Sequence, residues 1–447
     1  MSFRLVLLLL AVSTAALLSG GRAEAKYTAE INADTLVLTG NGQGDSLAVR
    51  LTPGDPTHLD VDVGNDGTAD FSFDRSLFSA ISITAGGGRD TILVDESFGA
   101  FTDEKILIDG GAGNDTITGG SGDDTIIGGA GNDTIDPRRG ADVVQAGAGD
   151  DTVIWNPGDG SDLIEGEDGD DRLVFNGSNA NEAFDFSANG TRARMTRNVG
   201  AITMALNGVE EVDLTTLGGT DVVTVNDLTG TDLAHLNVDL NGTGGVADGQ
   251  VDTVVVTGTP GPDVVSVGAT QGVLEVGGVG SEVSVTSAEQ LDVLDFVVQG
   301  ADELHVLGTP DPDQMFVTPS PAPASVRTIL NGFPTAVDIT NGGKLVLFGL
   351  GDADPITASN GLRTLGMSLE IDGGAGDDVL TGGDGDDVIF GGGGDDLVRG
   401  EIGSDVLNLG GGKDTGERAR RHRQVHRRSG RVDGDLAHAE PRLRFAL

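Results

Sequence analysis

Two rhythms of apolar positions run along this chain. From Gly110 a single aliphatic residue returns at every ninth position, as Ile117, Ile126, Ile135, Val144 and Val153 and, after a two-residue insertion at Trp155-Asn156, as Ile164 and Leu173. The polar positions between them repeat too: G-G-A-G-N-D-T-I-T, G-G-S-G-D-D-T-I-I, G-G-A-G-N-D-T-I-D. A fixed period of this kind marks a repeat architecture whose units bury a core only by stacking. One apolar position after a glycine-rich stretch predicts a short strand closed by a turn. The second rhythm is strict alternation, as in Val222 to Val225, Val254 to Val256 and Val264 to Val267, bounded by Gly, Pro, Asn and Asp. It predicts ordinary half-buried strands.

A second nine-residue block begins at Gly373 with G-G-A-G-D-D-V-L-T, G-G-D-G-D-D-V-I-F and G-G-G-G-D-D-L-V-R. Both blocks are entered by Ile-Asp-Gly-Gly-Ala-Gly, at Ile108 and Ile371, which points to a duplication. Beyond three intact units each block degrades but keeps phase. Asp142, Asp151, Asp162 and Asp171 hold the sixth position in the first block, and Asp405 and Asp414 hold it in the second. Several alternating runs also open on Gly-x-Asp, at Gly219, Gly261 and Gly300, and look like looser coils of the same architecture. No helical periodicity follows residue 26, and Pro-Ser-Pro-Ala-Pro at 319 to 323 reads as a loop. The expected fold is therefore all-β: a parallel β-roll or β-solenoid with two repeat blocks separated by a β-strand-rich region. Its segments are a signal peptide at 1–25, an N-terminal β-rich stretch at 26–105, the first block at 106–175 and a solenoid-like region at 176–363. The second block at 364–415 and a basic tail at 416–447, expected to be disordered, complete the chain.

Composition narrows the function. With 73 Gly, no Cys, one Trp and one Tyr, any core is expected to be thin and aliphatic and unsupported by disulfides. A formal charge of -44 opposes compaction unless counter-ions neutralise it. A cation is the expected partner, and nucleic acid is not, because the body lacks the basic face that phosphate binding needs. At the N-terminus, Arg4, the apolar run Leu5 to Leu18 and Ala23-Glu24-Ala25 form the three regions of a signal peptide, so a secreted protein is expected. That run is shorter than the roughly 20 residues a membrane span needs, and no later segment could span a bilayer. The tail crowds Arg418, Arg420, Arg421, Arg423, Arg427, Arg428 and Arg431 after an acidic body.

The repeat itself specifies the cation. Its glycines suit a turn that needs positive φ and close backbone approach, which exposes carbonyls, and the sixth-position Asp adds a carboxylate. Such all-oxygen donors suit Ca²⁺, whereas Zn²⁺ prefers His or Cys and Mg²⁺ demands stricter geometry and retained water. The G-G-x-G-x-D-x-U-x unit resembles the RTX family, whose nonapeptides form a calcium-binding parallel β-roll. The resemblance implies that two nonapeptides make one coil and that each of several ions sits between turns of adjacent coils. It implies side-chain ligands at Asp115, Asp124, Asp133, Asp151, Asp378, Asp387 and Asp396. Carbonyl ligands would come from Gly111, Gly113, Gly120, Gly122, Gly129 and Gly131 in the first block and Gly374, Gly376, Gly383, Gly385, Gly392 and Gly394 in the second. Asp142, Asp162, Asp171, Asp405 and Asp414 match only at the Asp: Arg138-Arg139, Glu167 and Glu401 displace glycines, and Lys413 adds a positive charge beside Asp414.

Catalytic signatures are lacking. Neither H-E-x-x-H nor G-x-S-x-G occurs. Gly44-Asp45-Ser46-Leu47 spells the G-D-S-L string of a lipase/esterase family, but that family needs an α/β fold and Asp45 belongs to a degenerate repeat beginning at Gly40. Asp60 to Phe73 resembles an EF-hand loop only at Asp62, Asp66 and Gly67, so a hairpin turn is expected there. His58, His235 and His305 are read as surface or strand residues. The favoured function is a non-enzymatic, calcium-stiffened structural or interaction protein, with a cell-surface, matrix or polysaccharide partner left open. A polysaccharide-active β-helix enzyme, an epimerase or lyase, is the alternative, and it would need Lys, Arg, His and carboxylates clustered on one strand face.

Overall fold

The computed structural model describes residues 27–100, 102–270, 273–288, 292–297, 302–308, 313–320, 325–330, 336–340, 343–417 and 442–446. The expected signal peptide, most of the basic tail and residues 321–324 of the proline loop lie outside them. The chain divides into two compact units, residues 1–171 and 172–447. Among the described residues there is no α-helix.

In the first unit each coil gives one strand to each of two parallel sheets. Ala80–Gly87, Lys105–Ala112, Thr125–Ala130, Val143–Ala148 and Leu163–Asp168 stack in one. Ser46–Thr52, Thr91–Asp95, Thr116–Thr118, Thr134–Asp136 and Thr152–Trp155 stack in the other. Two nonapeptides therefore make one coil, and Ile126 lies level with Ile108 and Val144. The eighth-position residues Ile117, Ile126, Ile135, Val144, Val153 and Ile164 all point inward and are buried. Fully burying one such side chain is worth roughly 1.5–3 kcal/mol, a modest core for so many residues. Trp155 fills the two-residue insertion, with its indole N–H donating to the Gly160 carbonyl at 2.8 Å.

The second unit repeats the scheme with Val222–Val225, Thr253–Thr257 and Val293–Val297 in one sheet and Glu211–Leu217, His235–Asp239 and Ser281–Thr286 in the other. Towards its end come the short strands Pro355–Ala358, Val379–Thr381 and Leu397–Arg399, and Met367–Asp372, Val388–Phe390 and Val406–Asn408. Arg442–Ala446 pairs antiparallel with Lys413–Glu417.

Two features depart from the sequence expectation. The parallel coils are interrupted by antiparallel three-stranded excursions, such as Ala183–Asn189, Arg192–Arg197 and Ile202–Asn207, and Val264–Thr270, Val273–Val279 and Ser281–Thr286. An alternating strand carries the same pattern in either direction, so periodicity could not reveal them. The core of these middle coils is also not purely aliphatic: Phe175 and Phe184 meet edge-on at 6.0 Å, and Phe186, Met195 and Met204 are buried with them.

Candidate metal centre

The turn at residues 110–115 shows how the repeat is built. Gly111 (φ +95) and Gly113 (φ +131) lie in left-handed backbone. A Cβ on either would come within 3 Å of the Gly86 or Gly88 carbonyl oxygen of the coil before. Only glycine satisfies both conditions, and its absence of a side chain leaves the turn carbonyls aimed along the stack. Gly129 and Gly131, Gly374 and Gly376, and Gly392 and Gly394 repeat the left-handed backbone. Gly383 shares it, but Gly120, Gly122 and Gly385 do not. The turn at 119–124 opens its row against the irregular segment around Glu104, and Asp124 Oδ2 accepts the N–H of Gly120 in its own turn at 2.9 Å.

The sixth-position aspartates form columns inside the coils. In the first unit the N–H of Asp115 donates to Oδ1 of Asp133 at 2.7 Å, that of Asp133 to Asp151 at 2.6 Å and that of Asp151 to Asp171 at 2.9 Å. Asp124, Asp142 and Asp162 form a second column with steps of 2.7 and 3.0 Å. In the second unit the steps run from Asp378 to Asp396 to Asp414 at 3.0 and 3.2 Å, and from Asp387 to Asp405 at 3.3 Å. The sequence step is 18 residues, lengthening to 20 where Trp155-Asn156 is inserted.

In most of these carboxylates one oxygen is thus occupied and the other is stranded. Oδ2 of Asp115, Asp133, Asp142, Asp151, Asp162, Asp378 and Asp396, Oδ1 of Asp124 and both oxygens of Asp387 are buried without a hydrogen-bond partner. Burial pushes the carboxyl of Asp142 up to about 8, those of Asp151, Asp162 and Asp387 to about 7, and those of Asp115, Asp124 and Asp396 to about 6. Asp133 and Asp378 move upward for the same reason. A buried anion must be protonated or paired, and among the described residues no basic side chain forms an ion pair with these groups.

The stranded oxygens share their surroundings with carbonyls. A Cβ at Gly110 would fall 2.7 Å from Asp115 Oδ2 and 2.6 Å from the Gly128 carbonyl oxygen, so a first-position glycine, missed in the sequence reading, lines the same space. Among the described residues no group of three His, Cys, Asp or Glu converges, so the donor set is carboxylate plus backbone carbonyl. These residues fit a hard divalent cation that prefers oxygen ligands. Bound there, calcium would supply positive charge between stacked carboxylates.

The fifth position forms a further, exposed column that sequence reasoning also missed. Asp395 donates its N–H to Asp377 Oδ1 at 2.7 Å, Ser404 to Asp386 at 3.0 Å and Ala141 to Asp123 at 2.9 Å. The signal was present, because every intact unit has Asn or Asp there.

The family model described as RTX calcium-binding nonapeptide repeat (4 copies) matches residues 107–137, 138–154, 158–179, 370–398 and 381–415. These segments are RTX calcium-binding nonapeptide repeats. No curated protein matches the chain. The RTX turns explain their own departures. Arg138 (φ +68), Glu167 (φ +79) and Glu401 (φ +54) replace glycine yet keep positive φ, so Asp142, Asp171 and Asp405 remain in their columns. Lys413 likewise keeps phase, donating its N–H to Asp395 Oδ1 at 2.8 Å.

The other sequence candidates resolve locally. Asp62 pairs with Arg50 at 2.9 Å and accepts the N–H groups of Asp66 and Gly67 at 3.1 and 2.8 Å, which makes the EF-hand-like stretch a hairpin turn between Asp55–Val63 and Phe71–Asp74. Asp45 of the G-D-S-L string donates its N–H to Asp90 Oδ1 and so heads the first column. His58, His235 and His305 pair with Asp55, Glu282 and Glu303 at the surface of their strands.

Proposed function

We propose that this protein is a secreted, non-enzymatic structural or interaction protein in which calcium drives the folding of the RTX coils and stiffens them. A surface, matrix or adhesion role suits such a module. The observation that carries the reading is the stranded, buried carboxylate oxygen repeated along each RTX column, with no cationic side chain paired to it among the described residues. Ligands from successive turns meet only when coils stack, so binding free energy is also folding free energy. Secretion accords with the apolar leader at Leu5 to Leu18 and with the millimolar calcium that extracellular modules use. No helix among the described residues is long and apolar enough to cross a membrane.

Circular dichroism in EGTA and then in millimolar calcium tests this, with the single Trp155 reporting on the first block. A gain of β signal and a blue-shifted, protected Trp155 on adding calcium are expected. Identical spectra in both states would remove the coupling of folding to calcium.

One observation favours the polysaccharide-active alternative. Lys344 reaches Glu303 at 3.3 Å and Glu370 at 2.9 Å, His305 reaches Glu303 at 3.2 Å, and Phe348 packs edge-on against His305 at 5.5 Å on the same strand face. The lysine is held by two carboxylates, which suits cross-strand pairing. Release of unsaturated uronides from alginate or pectin, abolished by Lys344→Ala, would establish the enzyme instead.

A further inference from the structure

The RTX match in the second unit begins at residue 370. One coil earlier the chain reads Gly349-Leu350-Gly351-Asp352-Ala353-Asp354, in which the glycines at the second and fourth positions of the motif are replaced. The backbone nevertheless makes the same turn. Leu350 and Asp352 hold φ of +75 and +61, values that side chains with a Cβ rarely adopt. Leu350 does so while half exposed, so its own burial does not explain the conformation. Gly351 bridges to Ala375 as Ala375 does to Gly393 and Gly393 to Gly411, which places this turn at the head of the row formed by the RTX turns at 373–378, 391–396 and 409–414. Ala375 donates its N–H to the Leu350 carbonyl at 3.0 Å, just as Gly393 does to Gly374 at 2.8 Å.

The carboxylate follows the same rule. Asp354 is fully buried and donates its N–H to Asp378 Oδ1 at 2.8 Å. Its Oδ1 accepts the N–H of Asp313 at 2.7 Å, and its Oδ2 has no partner. A Cβ on Gly349 would fall within 3 Å of both Asp354 Oδ2 and the Gly373 carbonyl oxygen, as a Cβ on Gly373 would of Asp378 Oδ2 and the Gly391 carbonyl oxygen. The carbonyls of Leu350 and Asp352 aim at Gly374 and Gly376, where only glycine leaves room for them.

We infer that residues 349–354 complete a calcium site against the RTX turn at 373–378, with the Asp354 carboxylate and the Leu350 and Asp352 carbonyls among its oxygens. The inference rests on the calcium reading of the RTX turns. It distinguishes a turn that holds an ion from a coil that merely shares the aspartate column. At Asp263, by contrast, the column carboxylate is filled from its own turn. Thr259 gives both its N–H, at 2.5 Å, and its hydroxyl, at 2.8 Å, to Asp263, and a Cβ on Gly258 would face the carboxylates of Asp263 and Asp302 with no carbonyl beside them. The first unit has the counterpart of the inferred turn: Gly86 and Gly88 (φ +106 and +102) stack on Gly111 and Gly113 one coil before the match begins.

The test is calorimetric titration of the full chain with calcium, comparing wild type, Asp354→Asn and Asp263→Asn. Asparagine keeps the oxygen that caps the next amide and removes the charge. One ion fewer, or one site weakened about tenfold or more as loss of a metal-site residue typically does, is expected for Asp354→Asn. Asp263→Asn, whose carboxylate Thr259 already fills from its own turn, should titrate like wild type. Wild-type stoichiometry and affinity in Asp354→Asn would overturn the inference. If that variant fails to fold at saturating calcium, Asp352→Gly decides: relief of the left-handed strain should tighten one site several-fold, and an unchanged titration would overturn the inference. A wild-type chain that binds no calcium would instead sink the reading of the RTX turns themselves.

Discussion

The second unit contains two kinds of coil that share one backbone plan and solve the same electrostatic problem differently. In the middle coils the carboxylate column runs from Glu182 to Asp221, Asp252 and Asp292, with N–H to carboxylate distances of 2.8, 2.8 and 2.9 Å. Steps of 39, 31 and 40 residues separate its members, because excursions are spliced into the first and last of them and a longer loop into the middle one. There the chain carries its own cation: Arg197, from the excursion strand Arg192–Arg197, is buried against Glu182 and also reaches the Ser178 hydroxyl at 3.1 Å. In the RTX coils the step is 18 residues, no excursion interrupts the described strands, and the second oxygen stays unpaired, as does Oδ2 of Asp221 beside Glu182 in the middle column. The aspartate column is thus a structural device common to both, capping the amide of the neighbouring coil. The two also differ in core, since the middle coils bury Phe175, Phe184 and Phe186 where an RTX nonapeptide buries one aliphatic residue.

The largest expected effect that could break this contrast is at the internal cation. Arg197→Met strands the buried Glu182 carboxylate and should cost about 3–5 kcal/mol. The loss should be the same in EGTA and in calcium when followed by denaturant unfolding; rescue by calcium would mean that the middle coils use the ion too. A smaller effect separates neighbouring glycines of one RTX turn. Gly394 (φ +142) has the Gly376 carbonyl where a Cβ would go, whereas Gly393 has open space and ordinary backbone. Gly394→Ala should therefore lose at least the roughly 1–2 kcal/mol of left-handed strain and raise the calcium midpoint for folding. Gly393→Ala should stay within about 0.5 kcal/mol, and equal thermal shifts in both would refute the turn geometry.

The gentlest lever is pH. Burial holds Asp142, Asp151 and Asp387 near 7 to 8, above the value of about 4 in an unfolded chain. The folded metal-free state therefore binds protons more tightly than the unfolded state, and stability falls as pH rises through that window. In EGTA the RTX coils should be more structured at pH 5 than at pH 8. Calcium competes with those protons, so its affinity should rise over the same interval. Circular dichroism at the two pH values checks the first statement, and a flat profile would show that the carboxyls are not buried as described.

Much of this was legible from the letters alone. The nine-residue period, the inward eighth position at Ile117 and Ile389, the sixth-position aspartates and the parallel β-roll all follow from spacing, because a strand–turn unit fixes which residue packs and which faces the turn. The turns at 85–90 and 349–354 were not legible, since Ala85, Leu350 and Asp352 break the motif while the backbone keeps its φ. The excursions were not legible either, because alternation is blind to strand direction. Nor was the choice of cation for each coil. Sequence by itself determined that carboxylates would recur in phase and where glycine would allow carbonyls to approach. Only the tertiary structure decided which carboxylates find a guanidinium and which are left for calcium, because that depends on what the neighbouring coil, up to 41 residues away in sequence, brings alongside.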